Sequence, residues 1–163
     1  DDIWEGAGNL EEAVSRQHVP HRFTLSFISQ VPKHVAVLGD LKFSSLVSLE
    51  SGRFFTQYAG RDANSDGNPN SDRVGLVGRN TIQGPSYASV DVRLARDFPL
   101  GGKVRGEVSV DVFNLLNREN VKDLNTNWGS ENPSVQPSPL LGYGTPRDVF
   151  NPRQAQIGLK VRF

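Results

Sequence analysis

The chain has 163 residues, the length of a single domain, and its 18 Lys and Arg balance 18 Asp and Glu. Zero net charge, with no basic run interleaved with aromatics, argues against a nucleic-acid partner. The absence of Cys excludes disulfides, a thiol nucleophile and a Cys-ligated metal. No run of about 18 apolar residues offers a membrane helix, but strands of a membrane barrel need only about 10 alternating residues and leave a far weaker signal.

Taken in order, residues 1–20 are polar and acidic. They read as a polar loop or a short helix: Asn9-Leu10-Glu11-Glu12 fits a helix start with Asn9 as N-cap, running to about Gln17 and stopped by Pro20. Opening on Asp1-Asp2 reads as a processed product or a piece of something longer, and no signal peptide is evident.

Residues 21–31 alternate, with Phe23, Leu25 and Phe27 on one face and Arg22, Thr24 and Ser26 on the other. A side-chain period of two makes this the first predicted strand. Pro32 and Gly39-Asp40 bracket a turn. A second strand follows over about 41–55. Leu41, Phe43, Ser45, Val47 and Leu49 share one face; Lys42, Ser44, Ser48 and Glu50 share the other. Residues 58–86 are rich in Gly, Asn, Asp and Pro and read as a long loop.

The third strand, about 87–98, sets Val90, Val92, Leu94 and Phe98 against Asp91, Arg93, Ala95 and Asp97. Leu100-Gly101-Gly102-Lys103 is a hairpin turn, because Gly-Gly supplies the positive φ that such turns need. The fourth strand, about 104–116, sets Val104, Val108, Val110 and Val112 against Arg105, Glu107, Ser109 and Asp111. Residues 117–152, with Pro133, Pro137, Pro139 and Pro146 among them, are a second long loop. The last strand, 153–163, alternates throughout: Ala155, Ile157, Leu159, Val161 and Phe163 face one way, and Gln154, Gln156, Gly158, Lys160 and Arg162 the other.

The fold class is therefore all-β: an antiparallel up-and-down meander of about five amphipathic strands with two long loops. It is part of an outer-membrane-type β-barrel or of an edge-to-edge β assembly. Connections that run short, long, short, long put both short turns at one end and both long loops at the other, as in outer-membrane barrels. The polar faces would line a wet lumen, or else the solvated outside of a soluble sheet.

Several stretches resemble a known family. Val77-Gly78-Arg79-Asn80-Thr81 and Gly84-Pro85-Ser86-Tyr87 run into Val90-Asp91-Val92-Arg93-Leu94. Val112-Phe113-Asn114-Leu115-Leu116-Asn117-Arg118 follows, then Pro152-Arg153-Gln154 and a strand closing on Phe163. This ordered set, over roughly residues 20–163, resembles the C-terminal end of the barrel of TonB-dependent outer-membrane receptors, especially the Oar-like group with a carboxypeptidase-regulatory-like domain. The resemblance implies a non-enzymatic outer-membrane transporter with a 22-stranded barrel and a plug, taking up a bulky nutrient or siderophore. Its partners would be the remaining strands and plug of the parent receptor, and outer-membrane lipid. The alternative is a processed fragment that pairs with copies of itself through its strand edges, as a homo-oligomer forming an extracellular filament or tube.

The sharpest local motif is Asp62, Asn64, Asp66, Asn68, Asn70 and Asp72, with Gly67 at the sixth position. Oxygen-bearing side chains at every second position match the first half of a calcium loop, with Asn68 offering its carbonyl at the seventh. The twelfth position is Arg73 rather than Glu, so this is no EF-hand; it is a looser Ca²⁺ cage, or a surface loop holding no ion. His18 and His21, separated by Pro20, lack a third zinc ligand in register. No Gly-x-Ser-x-Gly elbow and no phosphate loop is present, so no catalytic residue is expected. Trp128, Tyr143 and Phe150 contact a ligand or pin the last long loop onto its neighbours.

Overall fold

A computed structural model describes residues 12–35 and 38–163. Its strands are β1 (Arg22–Gln30), β2 (Leu41–Glu50), β3 (Phe54–Phe55), β4 (Ile82–Gln83), β5 (Tyr87–Gly101), β6 (Val104–Phe113), β7 (Val121–Leu124), β8 (Pro146–Val149) and β9 (Gln154–Arg162). The chain divides into two compact units. One holds the described residues up to His21 with Ser51–Ser86 and Asn120–Phe150; the other holds Arg22–Glu50, Tyr87–Glu119 and Asn151–Phe163.

The second unit is the predicted antiparallel sheet, in the order β1-β2-β5-β6-β9. The chain leaves it for the long segments after Glu50 and Phe113 and re-enters at Tyr87 and Gln154. These four positions lie at one end, because Glu50 pairs with Tyr87 and Phe113 with Gln154. The β5–β6 turn forms as the Gly-Gly pair requires, with φ of 117° at Gly101 and 57° at Gly102. The pairing is staggered. β2 covers β5 from Tyr87 to Arg96, whereas β6 covers it from Val92 to Gly101. Strands that slide past one another in this way are tilted, which a closed barrel demands.

Two predicted strands run past their observed ends. β2 stops at Glu50 rather than near Phe55, where Ser51-Gly52 breaks the alternation, and Phe54–Phe55 belong to a separate ladder in the other unit. β6 stops at Phe113 rather than Leu116, because Asn114 and Asn117 take φ of 49° and 51°. Asn is among the few side chains that visit this left-handed region. Asn114 uses the corner well: its Nδ2 donates to the carbonyls of Arg118 (2.9 Å) and Asn151 (3.3 Å), and its Oδ1 accepts the Arg118 amide at 3.1 Å. Asn117 Oδ1 accepts the Arg153 amide at 3.0 Å. Both asparagines thus fasten the end of β6 to the start of β9.

The first unit is built from the two long loops, which are not structureless. β3 pairs with β4 and β7 with β8. Between them Tyr58-Ala59 bonds on both sides: the Tyr58 amide donates to Thr126 O, the Ala59 amide to Asp72 O at 2.7 Å, and Tyr58 O accepts the Trp128 amide at 2.8 Å. Phe55, Ala59, Val74 and Leu124 are buried there. Of the predicted helix, Asn9 lies outside the described residues; Glu12–Ser15 carry no regular structure and Arg16-Gln17 form a turn. Tertiary contacts replace the helix. Arg16 pairs with Asp123 at 2.5 Å and lies over the Phe55 ring, His18 stacks on Phe54, and Val14 O accepts a bond from Asn80 Nδ2 at 2.7 Å.

Candidate functional site

The sheet presents two chemically opposite faces, and register fixes their membership. Along one row Leu25 pairs with Val47 and Val47 with Val90; along another Leu94 pairs with Val110 and Val110 with Ile157. Leu94 and Val110 stay open to solvent even where neighbouring strands flank them, at 42% and 43% exposed, while Val47 and Val90 are half-buried. At the short-turn end Phe98 sits over its partner Gly106, whose missing side chain leaves room for the ring.

The opposite face does the burying, and what it buries is polar. Ser89, Ser109 and Asp111 are almost fully covered, and Ala95 is the sheet's one buried apolar residue among those described. A charge network crosses the face. Lys42 on β2 meets Asp97 on β5 at 2.6 Å and Glu107 on β6 at 3.6 Å. Arg93 on β5 holds Asp111 at 3.0 Å and Glu107 at 3.2 Å, and Arg162 on β9 reaches Glu107 at 3.0 Å. Glu107 therefore anchors cations from three other strands. Arg93 and Arg162 are half exposed, so solvent discounts each pair. Glu107→Ala is expected to cost about 1 kcal/mol in a denaturant titration, with Glu107→Gln in between. Ile28, Leu46 and Phe113 make a small apolar patch on this otherwise polar face, beside the Arg93–Asp111 pair.

Strand length fits a bilayer. β1 and β9 have 9 residues and β2 and β6 have 10, close to the 9–11 that a tilted strand needs to cross. Among the described residues β1 and β9 each pair on one side only, leaving two rows of backbone donors and acceptors open.

The Asp/Asn motif lies in the loop unit. Asp62 accepts the amides of Asp66 (3.1 Å) and Gly67 (2.8 Å). Asn64 Oδ1 accepts the Asp66 amide at 3.0 Å, while its Nδ2 donates to Asp66 Oδ2 at 3.1 Å. Asp66 Oδ1 accepts the Asn68 amide at 2.8 Å. That bond, with the one from Asn64, holds the exposed Asp66 carboxyl below the usual carboxylate range. Asp72 folds back so that its Oδ2 accepts the amides of Ala63 (2.6 Å) and Asn64 (3.3 Å). Asp62, Asn64 and Asp66 thus share the amides of one turn, and Asp72 is tied to that turn through the Ala63 and Asn64 amides. Asn68 and Asn70 do not join them: the Asn68 carbonyl turns to the Ser71 hydroxyl at 3.0 Å rather than inward, its Oδ1 accepts the Asn70 amide, and Asn70 is exposed. Among the described residues no three His, Cys, Asp or Glu side chains converge as a metal cluster.

The loop aromatics act as pins. Trp128 meets Tyr143 edge-on at 4.8 Å and donates from Nε1 to Val135 O at 2.8 Å; Phe150 lies under Arg53. Burial raises the Tyr143 phenol above its ordinary pKa. Sequence periodicity revealed the faces but not the Glu107 hub, which depends on register across four strands.

No curated protein matches the chain, and no solved structure does. The family profile described as an outer membrane beta barrel domain matches residues 67–156, a span that includes β5, β6 and most of both long loops. Exposed apolar rows, a buried polar face, staggered register and bilayer-length strands agree with that match, and the chain belongs to the outer membrane beta barrel domain family.

Proposed function

We propose that this chain supplies wall strands and external loops to a TonB-dependent outer-membrane transporter, a non-enzymatic barrel that takes up a bulky nutrient or siderophore. One observation carries the reading above others: a five-stranded sheet that covers Asp111 and Ser109 while leaving Leu94 and Val110 open. Such a sheet matches a wall with lipid outside and a wet lumen inside. The order of Val77–Thr81, Gly84–Tyr87, Val112–Arg118 and Pro152–Gln154 supports the TonB-dependent subtype by resemblance. Further strands and a plug complete the barrel, since the smallest membrane barrels have about eight strands.

The open edges of β1 and β9 favour one second reading, in which copies of the chain pair edge to edge. Two measurements separate these. Cells that produce the protein should accumulate a labelled siderophore or a comparably bulky nutrient faster than cells lacking it, and a protonophore should abolish the difference. Equal uptake across a panel of such solutes sinks the transport reading. Purified chain that forms fibres under negative stain without detergent supports self-assembly instead.

A further inference from the structure

We propose that Arg96 holds the phosphate of a membrane phospholipid against the outside of the sheet, near its short-turn end. The inference rests on the reading that the apolar rows face lipid, and not on which solute is transported.

Register isolates this residue. Arg96 pairs with Leu41 on β2 and with Val108 on β6, and Val108 pairs with Leu159 on β9. It therefore projects from the same face as Leu94 and Val110. Among the described residues of the five long strands it is the sole ionisable side chain on that face. Arg96 is exposed, and its guanidinium makes no hydrogen bond or ion pair with any described residue. Arg93, on the opposite face of the same strand, reaches both Asp111 and Glu107. The sheet itself lies between Arg96 and those carboxylates.

A lone cation among leucines and valines is costly in hydrocarbon unless its charge reaches a polar partner. Position supplies one. Leu41 is the first residue of β2, so on that flank the sheet ends beside Arg96, at the end that holds the β5–β6 turn. From Leu94 towards that turn, Arg96 lies about 7 Å along the strand and about 5 Å in depth at the tilt of a membrane barrel. An outward apolar band about 25 Å tall puts the headgroups about 12 Å from its middle. The flexible stem of an arginine carries its head across the remainder, as long basic side chains do in bilayers. There the guanidinium fork matches a phosphate with two parallel N–H donors. A second copy of the chain fits worse, because the same face carries no carboxylate among the described residues to meet it.

The test is urea titration of the full chain folded in vesicles of phosphatidylglycerol and, in parallel, of digalactosyl diacylglycerol, which carries no phosphate. In phosphatidylglycerol, Arg96→Gln should lower the folding equilibrium constant about tenfold, the contribution of one charge-assisted hydrogen bond. In the galactolipid the same change should stay within about twofold. Arg96→Lys, which keeps the charge and loses the fork, should fall between the two. An equal shift in both lipids, or a gain of stability in phosphatidylglycerol, overturns the proposal. Val110→Arg in the same phosphatidylglycerol vesicles tells two failures apart. If it is costly while Arg96→Gln ignores the lipid, the face meets the bilayer and only the phosphate contact is wrong. If it is harmless, the lipid-facing reading falls and takes the proposal with it. Native mass spectrometry in a maltoside detergent adds a readout that does not depend on refolding in vesicles. The parent should retain added phosphatidylglycerol, Arg96→Gln should lose most of it, and excess inorganic phosphate should displace none, since the acyl chains share the hold. Retention by Arg96→Gln, or displacement by inorganic phosphate, overturns the proposal.

Discussion

Val110→Arg should lower the stability of the chain folded in lipid vesicles by about 2–4 kcal/mol, the cost of a cationic side chain on the lipid face at the bilayer midplane. Val110 sits mid-strand in β6 between Leu94 on β5 and Ile157 on β9, so the guanidinium would meet only apolar neighbours and acyl chains. The matched control is Gln156→Arg on the opposite face. Gln156 pairs with Asp111, and a second cation there stays within about 0.5 kcal/mol of the parent. Urea titration of both variants in the same vesicles measures the difference directly. If the two arginines cost the same, the apolar rows do not face lipid.

Gly52→Ala should cost about 3 kcal/mol or more, at the upper end of what overpacking exacts. A methyl group on Gly52 would stand 1.8 Å from the carbonyl oxygen of Gly84, and that obstacle is backbone, so no rotamer change relieves it. The contact seals the β3–β4 ladder, where Gln83 Nε2 also donates to Gly52 O and the Gly84 amide bonds Arg53 O. Phe55, buried in the same unit, would lose its seating. Trp128 lies in the loop unit, so its emission in a Trp4→Phe background reports that unit's unfolding. The urea midpoint should fall sharply. An unchanged midpoint would mean that the segments around Gly52 and Gly84 can separate at little cost.

What was readable in the sequence divides along a physical line. The five long strands were, because half-buried sheets impose a strict period of two, and Phe23 through Phe27 or Ala155 through Phe163 obey it. The short ladders were not. β3 and β4 have two residues each, and β7 and β8 pair with register shifts around a proline at position 146, so no alternation accumulates. Strand ends hide where apolar residues continue past a backbone corner: Leu115 and Leu116 extend the pattern, but Asn114 and Asn117 have already turned the chain. In the Asp/Asn loop, the alternating Asp and Asn side chains were legible. The alternation did not show that Asp72 would be sealed in, because that follows from the Ala59 amide capturing the Asp72 carbonyl from another part of the unit. Nor did it show that the Asn68 carbonyl would turn to Ser71 instead. For the described part of the predicted helix, residues 12–17, the sequence could not show that Arg16 and the nearby His18 would instead meet Asp123, Phe55 and Phe54, because those partners come from distant segments.

Ala95 is the only described apolar residue that the five long strands hide. Phe43, Val47, Val90 and Val92 are only half-covered and Leu94, Val110 and Ile157 stay exposed, so an aqueous medium offers the ribbon limited hydrophobic gain until acyl chains cover the rest. Folding and insertion become one event. The rate at which β structure appears should then rise with lipid concentration, and the unlipidated chain should persist as an expanded, carrier-dependent polymer.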